Sequence, residues 1–303
     1  MAQVVTTAFT KVIKEKLFAN AEFVKTAFSH DAFVNDHTVE IPTAGTLPDV
    51  EEDRGSYPIA VTERTDDKVS YDLIEFSLGA IRLPEKEMKE LSYDKAASIV
   101  AHHMRKLNDR IALRALYNWA QATAGVETTG TAIANIAPPG ATGTRQPLLP
   151  IDIANAAAKL DGEDVSSQNR YLIVPYNVYW NFVEANKEYL LNLDYNKGLT
   201  NGDIANGVVS QVYGFKIIPR SYTCVYNNSD VLKAVGAATA TTDQWGIIGY
   251  QADEVCRALG SVKVYFNKDD ALYQGDLYSA TVRFNAQQMR GSNVGVVTIL
   301  QDT

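Results

Sequence analysis

The stretch from Leu91 to Gln121, LSYDKAASIVAHHMRKLNDRIALRALYNWAQ, contains neither Pro nor Gly, and it limits the folds open to this chain more than any other. Tyr93, Ala97, Val100, Met104, Leu107, Ile111 and Ala115 recur at steps of three and four. Strands of period two cannot make that stripe, whereas an amphipathic helix does. Ser92 stands where an N-cap belongs, Asp94 falls in the first turn, and Gly125 ends the run. At 1.5 Å per residue the helix would span about 45 Å, the length of a spine.

Lys106, Arg110 and Arg114 repeat every fourth residue and form a basic stripe beside the apolar one. From Lys95 to Gln121 five basic residues face one acid, Asp109, for a net of +4. The preceding segment has the opposite sign: Asp36 to Asp94 carries fifteen acidic and six basic residues, a net of −9. Within it, short alternating runs (Val39 and Ile41; Ile59 and Val61; Val69, Tyr71 and Leu73) are separated by Pro, Gly and acidic clusters. This predicts a long two-stranded excursion. Such a hairpin has too few apolar residues to stand alone and must lie on something else.

Before it, Met1 to Asp36 shows a weak amphipathic pattern (Phe9, Val12, Ile13, Leu17, Phe23, Val24, Phe28, Phe33), too thin for a domain. An arm lying on other parts of the same or a neighbouring subunit would bury Phe9, Phe23, Phe28 and Phe33. After the spine, Gly125 to Pro150 is rich in Ala, Gly, Thr and Pro without a sustained period and reads as a linker. Helices are then expected over Ile151–Leu160, Tyr176–Leu190 and Ala252–Leu259. Strands are expected over Arg170–Val174, Trp245–Gly249, Val262–Phe266, Asp276–Asn285 and Val294–Leu300, with a strand pair turning near Gly214. The mixture is an α+β layout.

With 303 residues, 46% of them hydrophobic, the chain can bury a large core. Its net charge of −8 argues against a general nucleic-acid binder while leaving room for local basic patches. Two cysteines, Cys224 and Cys256, are too few for a disulfide framework and read as small buried hydrophobes in a reducing cytosol. No signal peptide or membrane-length apolar run is visible, which points to a soluble intracellular product without membrane contact.

No motif marks a catalytic nucleophile, a phosphate loop or a zinc helix, so no catalytic residue, metal or cofactor is expected. His102 and His103 are helix neighbours about 100° apart and read as one surface and one half-buried imidazole rather than a metal pair. Glu51, Glu52, Asp53 and the pair Asp66 and Asp67 read as solvated loop acids before cation ligands. The basic stripe admits three readings: a solvated face paired locally, as by Lys106 with Asp109; an acidic extension of a neighbour; or packaged nucleic acid.

The order of parts resembles the major capsid proteins of tailed bacteriophages, the Hong Kong 97 fold. The segments that carry the likeness are DKAASIVAHHMRKLNDRIALRAL, RYLIVPYNVYWNFV (Arg170 to Val183), NGVVSQVYGFKIIPRS (Asn206 to Ser221) and GDLYSATVRFNAQQMRGSNVGVVTIL (Gly275 to Leu300). The resemblance implies an N-terminal arm at 1–36, an extended loop at 37–83, a peripheral domain at 84–149 and 267–303 with its spine helix at 91–121, and an axial domain at 150–266. It also implies a structural protein assembled in the bacterial host cytoplasm as hexamers and pentamers into an icosahedral virion capsid around double-stranded DNA. The partners are then other copies of the chain, a portal and, in some capsids, a decoration protein.

In that setting the loop acids Glu51, Glu52, Asp53, Asp66 and Asp67 are expected to face a neighbour's Lys106, Arg110 and Arg114. Lys68 is the only Lys between Asp36 and Leu83 and nothing marks a partner Asn, so no covalent cross-link is expected. The short arm implies a separate scaffolding protein, or a chain already trimmed of its own scaffolding segment. Two rival readings stay open: an encapsulin-like bacterial nanocompartment shell protein, and a cytosolic oligomeric α+β enzyme.

Overall fold

Two β-sheets share one long helix in the computed structural model, which describes residues 21–43, 52, 67–84, 95–123, 125–186, 200–203, 208–290 and 293–302. The chain opens with a short helix, α1 (Glu22–Thr26), and the strands β1 (Phe28–Ser29), β2 (Val34–Asn35), β3 (Thr38–Thr43), β4 (Asp67–Asp72), β5 (Ile74–Ser77) and β6 (Ile81–Pro84). The spine helix α2 (Lys95–Trp119) follows, then the short strands β7 (Val126–Glu127), β8 (Ile133–Ala134) and β9 (Thr144–Arg145). Next come α3 (Pro150–Gly162), β10 (Arg170–Pro175), α4 (Tyr176–Ala185), β11 (Thr200–Asp203), β12 (Val208–Val212), β13 (Phe215–Arg220) and β14 (Cys224–Tyr226). The chain closes with β15 (Gln244–Gln251), β16 (Val255–Asp270), β17 (Gly275–Gln288) and β18 (Val296–Leu300).

The spine helix begins and ends within the span its periodicity predicts. Residues 91–94, the expected cap among them, lie outside the described residues. Its stripe is buried where side chains are described: Met104, Leu107, Ile111 and Ala115 have at most 4% exposure. They pack on a long hairpin in which β16 and β17 pair antiparallel from Val255↔Gln288 to Asp270↔Gly275. Tyr278, Ala280, Val282, Phe284 and Ala286 alternate along β17 with a period of two, all on the helix side. A helix of period 3.6 and a strand of period 2 thus meet along one apolar seam.

The larger sheet runs β11-β12-β13-β10-β15-β18-β7, with β14 also on β15. Its central strands are buried throughout because both faces are covered. Leu172, Ile247 and Ile299 point to α3 and α4, while Ile173, Ile248 and Leu300 point to the core shared with the spine. This explains why RYLIVP and WGIIGY read as unbroken apolar runs. β10 and β13 are parallel, with α4 in the crossover between them. β12 and β13 are joined through Tyr213 and Gly214, whose φ of 45° and 83° make the mirror-image turn that suits a two-residue hairpin.

The predicted excursion is present at its base, where β3 and β4 pair antiparallel from Thr38↔Asp72 to Thr43↔Asp67. Residues 44–66, apart from 52, lie outside the described residues, and with them Ile59 and Val61. Beyond Leu73 the chain joins the hairpin sheet, as β5 and β6 both pair with β17.

Several expectations are corrected. The helix over Ala252–Leu259 is instead one 3-10 turn, Ala252–Glu254, and then strand. Val255 to Leu259 pair with Phe284 to Gln288, and this ladder overrides the helical spacing. The linker at 125–150 is packed: Ile136 and Leu148 are buried and Arg145 is sealed beneath it. β16 runs through Phe266, and β18 pairs with β15 on the large sheet. In the arm Phe23 is buried, but Phe28 and Phe33 remain half exposed on either side of His30.

Candidate assembly surface

The polar side of the spine helix lies beside the end of β13, where the chain leaves the large sheet at Arg220. Between them is a cavity of about 820 Å³ lined by Arg105, Lys106, Asp109, Arg110, Leu113, Tyr176, Pro219, Arg220, Ser221 and Tyr222. Four cations share it with one carboxylate. The i, i+4 spacing of Lys106 and Arg110 brings both to the same wall, as the sequence predicts. Arg114, one turn further on, does not reach the cavity; it is half-buried, and its Nε is sealed from solvent with no partner among the described residues.

Arg220 is the cation that sequence reasoning missed. It sits with Cζ 5.0 Å from the centre of the Phe23 ring, a cation–π contact beneath the cavity floor. Burial pushes its guanidinium below the ordinary range, against the opposing pull of Asp109 and Tyr176. One terminal nitrogen, Nη1, is sealed from solvent with no partner among the described residues. Nothing in PRSY separates this Arg from a surface one, because its neighbours Phe23, Asp109 and Tyr176 come from other elements far along the chain. Arg110 lies across Gly236, where φ is +81° and an added Cβ would stand 2.9 Å from Nη1.

No ion pair joins Lys106 to Asp109 among the described residues, so the locally paired reading of the stripe, one of three, finds no support there; the Asp109 charge opposes the lowering of the Arg220 pKa. His102 is exposed and His103 half-buried, as expected, and burial, with Lys106 and His102 nearby, holds the His103 pKa below its ordinary value. Cys224 and Cys256 are free and buried, and burial raises both thiols. Among the described residues no group of three or more His, Cys, Asp or Glu could hold a metal ion, and no helix is long and apolar enough to cross a membrane.

Of the acidic residues singled out, Glu51, Asp53 and Asp66 lie outside the described residues. Glu52 is exposed, and Asp67 opens β4 opposite Thr43. The base of the loop that carries them is held to the hairpin by charge. Arg283 meets Asp36 Oδ1 at 3.0 Å and Glu75 Oε2 at 3.4 Å, while Asp31 Oδ1 accepts the Leu259 N–H at 2.7 Å.

No protein-family model and no curated protein matches the chain. Solved structures do. The chain is similar to the capsid of cyanophage P-SCSP1u, with a TM-score of 0.64 and 15% identity over 90% of this chain and 86% of that one. It is also similar to the mature capsid of bacteriophage PhiM1 (TM-score 0.59, 12% identity, 90% and 85% covered). A third likeness is to the head of Helicobacter pylori bacteriophage KHP40 (TM-score 0.57, 10% identity, 90% and 87% covered). Similarity at these identities establishes the fold, an α+β fold of the Hong Kong 97 type found in phage capsids.

Proposed function

We propose that this chain is the major capsid protein of a tailed bacteriophage, a structural subunit without catalysis that assembles as hexamers and pentamers into an icosahedral head around double-stranded DNA. The observation that carries this reading is a fold likeness to phage capsid and head structures that spans about nine tenths of this chain and more than four fifths of each neighbour. The spine helix and long hairpin supply a stiff edge. The central sheet with α3 and α4 forms the part that surrounds the symmetry axes, and the loop from β3 to β4 reaches a neighbour. Contact between loop acids (Glu51, Glu52, Asp53, Asp66, Asp67) and a neighbour's basic helix edge (Lys106 and Arg110, with the half-buried Arg114 set back from it) sets register more than affinity, since exposed pairs are individually weak. A separate scaffolding protein and a portal complete the head, with a decoration protein on the outer surface of some.

Negative-stain imaging of the purified protein across a sedimentation gradient tests the reading. Closed shells or hexamer sheets are expected. A dimer or tetramer that persists when scaffolding protein is added would overturn it.

A further inference from the structure

The cavity between the spine helix and the end of β13 opens beyond the carboxyl ends of the parallel pair β10 and β13, at Pro175 and Arg220. Crevices in that position are where sheets with helical crossovers take ligands. The crossover helix α4 starts here, at Tyr176, so the positive end of its dipole meets the same space. The spine helix supplies the other wall with Arg105, Lys106 and Arg110, all exposed and without an ion pair among the described residues. Tyr176 and Tyr222 add two aromatic rings, 46% and 55% exposed. Arg220 has its guanidinium against the Phe23 ring and contributes only its charge.

A ligand that matches this space is anionic at one end and flat at the other. Phosphate suits the first need, because a guanidinium can hold two of its oxygens while Lys106 acts as a point charge. A nucleobase suits the second, since every base has a face that stacks on an aromatic ring. At about 820 Å³ the cavity is the size of a small-molecule site. A DNA duplex keeps its bases inside the stack and would leave both tyrosines bare. We propose that the cavity binds a nucleoside triphosphate, with its phosphates on Arg105, Lys106 and Arg110 and its base against Tyr176 or Tyr222. The inference goes beyond the shell reading and does not depend on it. In that reading Lys106 and Arg110 also meet a neighbour's loop, so the nucleotide occupies the subunit before that contact forms.

Calorimetric titration of the full-length, unassembled protein with ATP in EDTA, at about 0.15 M salt, tests this. A Kd below about 0.1 mM is expected. Inorganic tripolyphosphate, titrated in parallel, reports the phosphate end alone. Combining Lys106→Ala with Arg110→Ala should weaken both ligands at least about tenfold. Combining Tyr176→Ala with Tyr222→Ala should weaken ATP at least about fivefold and leave tripolyphosphate as it was. All four positions are exposed or on the cavity wall, and circular dichroism melts confirm that the variants fold. No ATP binding by the unaltered protein, or unchanged ATP binding in either variant, overturns the proposal. So does an equal loss of ATP and tripolyphosphate in the tyrosine variant, which would leave the rings no part in holding a base.

Competition separates a free nucleotide from nucleic acid, which carries the same phosphate esters. A duplex of about 20 base pairs, matched to ATP in phosphate concentration, should fail to displace it. A single-stranded thymidylate of about ten bases should compete no better than ATP, mole for mole, because the cavity encloses one nucleotide unit. Displacement by the duplex overturns the proposal and gives the cations to DNA backbone. Much tighter binding of the single strand overturns it as well, and makes the two rings steps along a strand.

Discussion

Trp119 Nε1 donates to the carbonyl oxygen of Cys256 across 3.2 Å, tying the last residue of the spine helix to the open end of the long hairpin, where β16 begins. The indole is fully buried, edge-on to Phe23 at 5.9 Å and tilted against Tyr250 at 5.1 Å. It therefore touches the arm, the large sheet and the hairpin at once. Trp119→Ala is expected to cost about 3–5 kcal/mol, the range for truncating a large buried aromatic. Trp119→Phe keeps most of the volume and is expected to lose about 1 kcal/mol for the hydrogen bond together with a smaller cavity loss. Urea denaturation followed by circular dichroism checks both; equal stability of all three proteins would show that the joint is elsewhere.

His30 is the pH-sensitive point of the loop base. It is 1% exposed, with Nδ1 3.4 Å from the Tyr71 hydroxyl on β4 and its ring between Phe28 and Phe33. Burial lowers its pKa below 6.5, and the neighbouring Asp31 opposes this without overcoming it. A lowered folded pKa means that the unfolded chain binds the proton more tightly. Stability is therefore full above pH 6.5 and declines as pH falls below it toward the folded pKa. Denaturation at pH 7.5 and 5.5 should show this loss, and His30→Gln should reduce it, leaving the share of His103, which is shifted the same way. An unchanged pH response in His30→Gln would refute the assignment.

Much of this architecture is visible in sequence because its signal is local. Met104 to Ala115 announce a helix by spacing alone, and Gly214 announces a turn by the positive φ it tolerates. What escapes is non-local. Val255 to Leu259 look helical until β17 is placed beside them, and Arg220 looks like any surface Arg until Phe23 and Asp109 are brought from elsewhere in the chain. The basic edge was legible as a stripe of three residues. Its concave form was not, because the second wall belongs to β13.

Arg145 shows the same blindness inside the supposed linker. It is 3% exposed, and its guanidinium donates to the carbonyls of Asp243, Thr144, Thr142 and Thr241 at 2.7–3.3 Å. One side chain thus fastens 142–145 to 241–243. Lys has the charge but not the fork, so Arg145→Lys should leave buried carbonyls unsatisfied and cost about 2–4 kcal/mol. Thermal unfolding measures this directly. Hydrogen exchange should rise first at Thr142, whose N–H donates to the Thr241 carbonyl. A melting temperature within about one degree of the unaltered protein would mean that the loops hold without it.

Arg110 and Arg114 have one sequence signature and two structural situations, which predicts that charge reversal separates them. Arg110 is exposed on the cavity wall, so Arg110→Glu should change folding stability by no more than about 0.5 kcal/mol, as surface substitutions do. Arg114 is half-buried with Nε cut off from water, and Arg114→Glu would place a carboxylate where a cation is already partly desolvated. That change should cost about 1–3 kcal/mol. Assembly should respond the other way round: Arg110→Glu lowers shell yield from a folded subunit, whereas Arg114→Glu lowers it only in proportion to the subunit that unfolds. Denaturation midpoints set beside shell counts from the same preparations decide it. Loss of shells in Arg114→Glu at unchanged stability would place Arg114 in the contact after all, and would return the basic edge to the simple stripe its spacing describes.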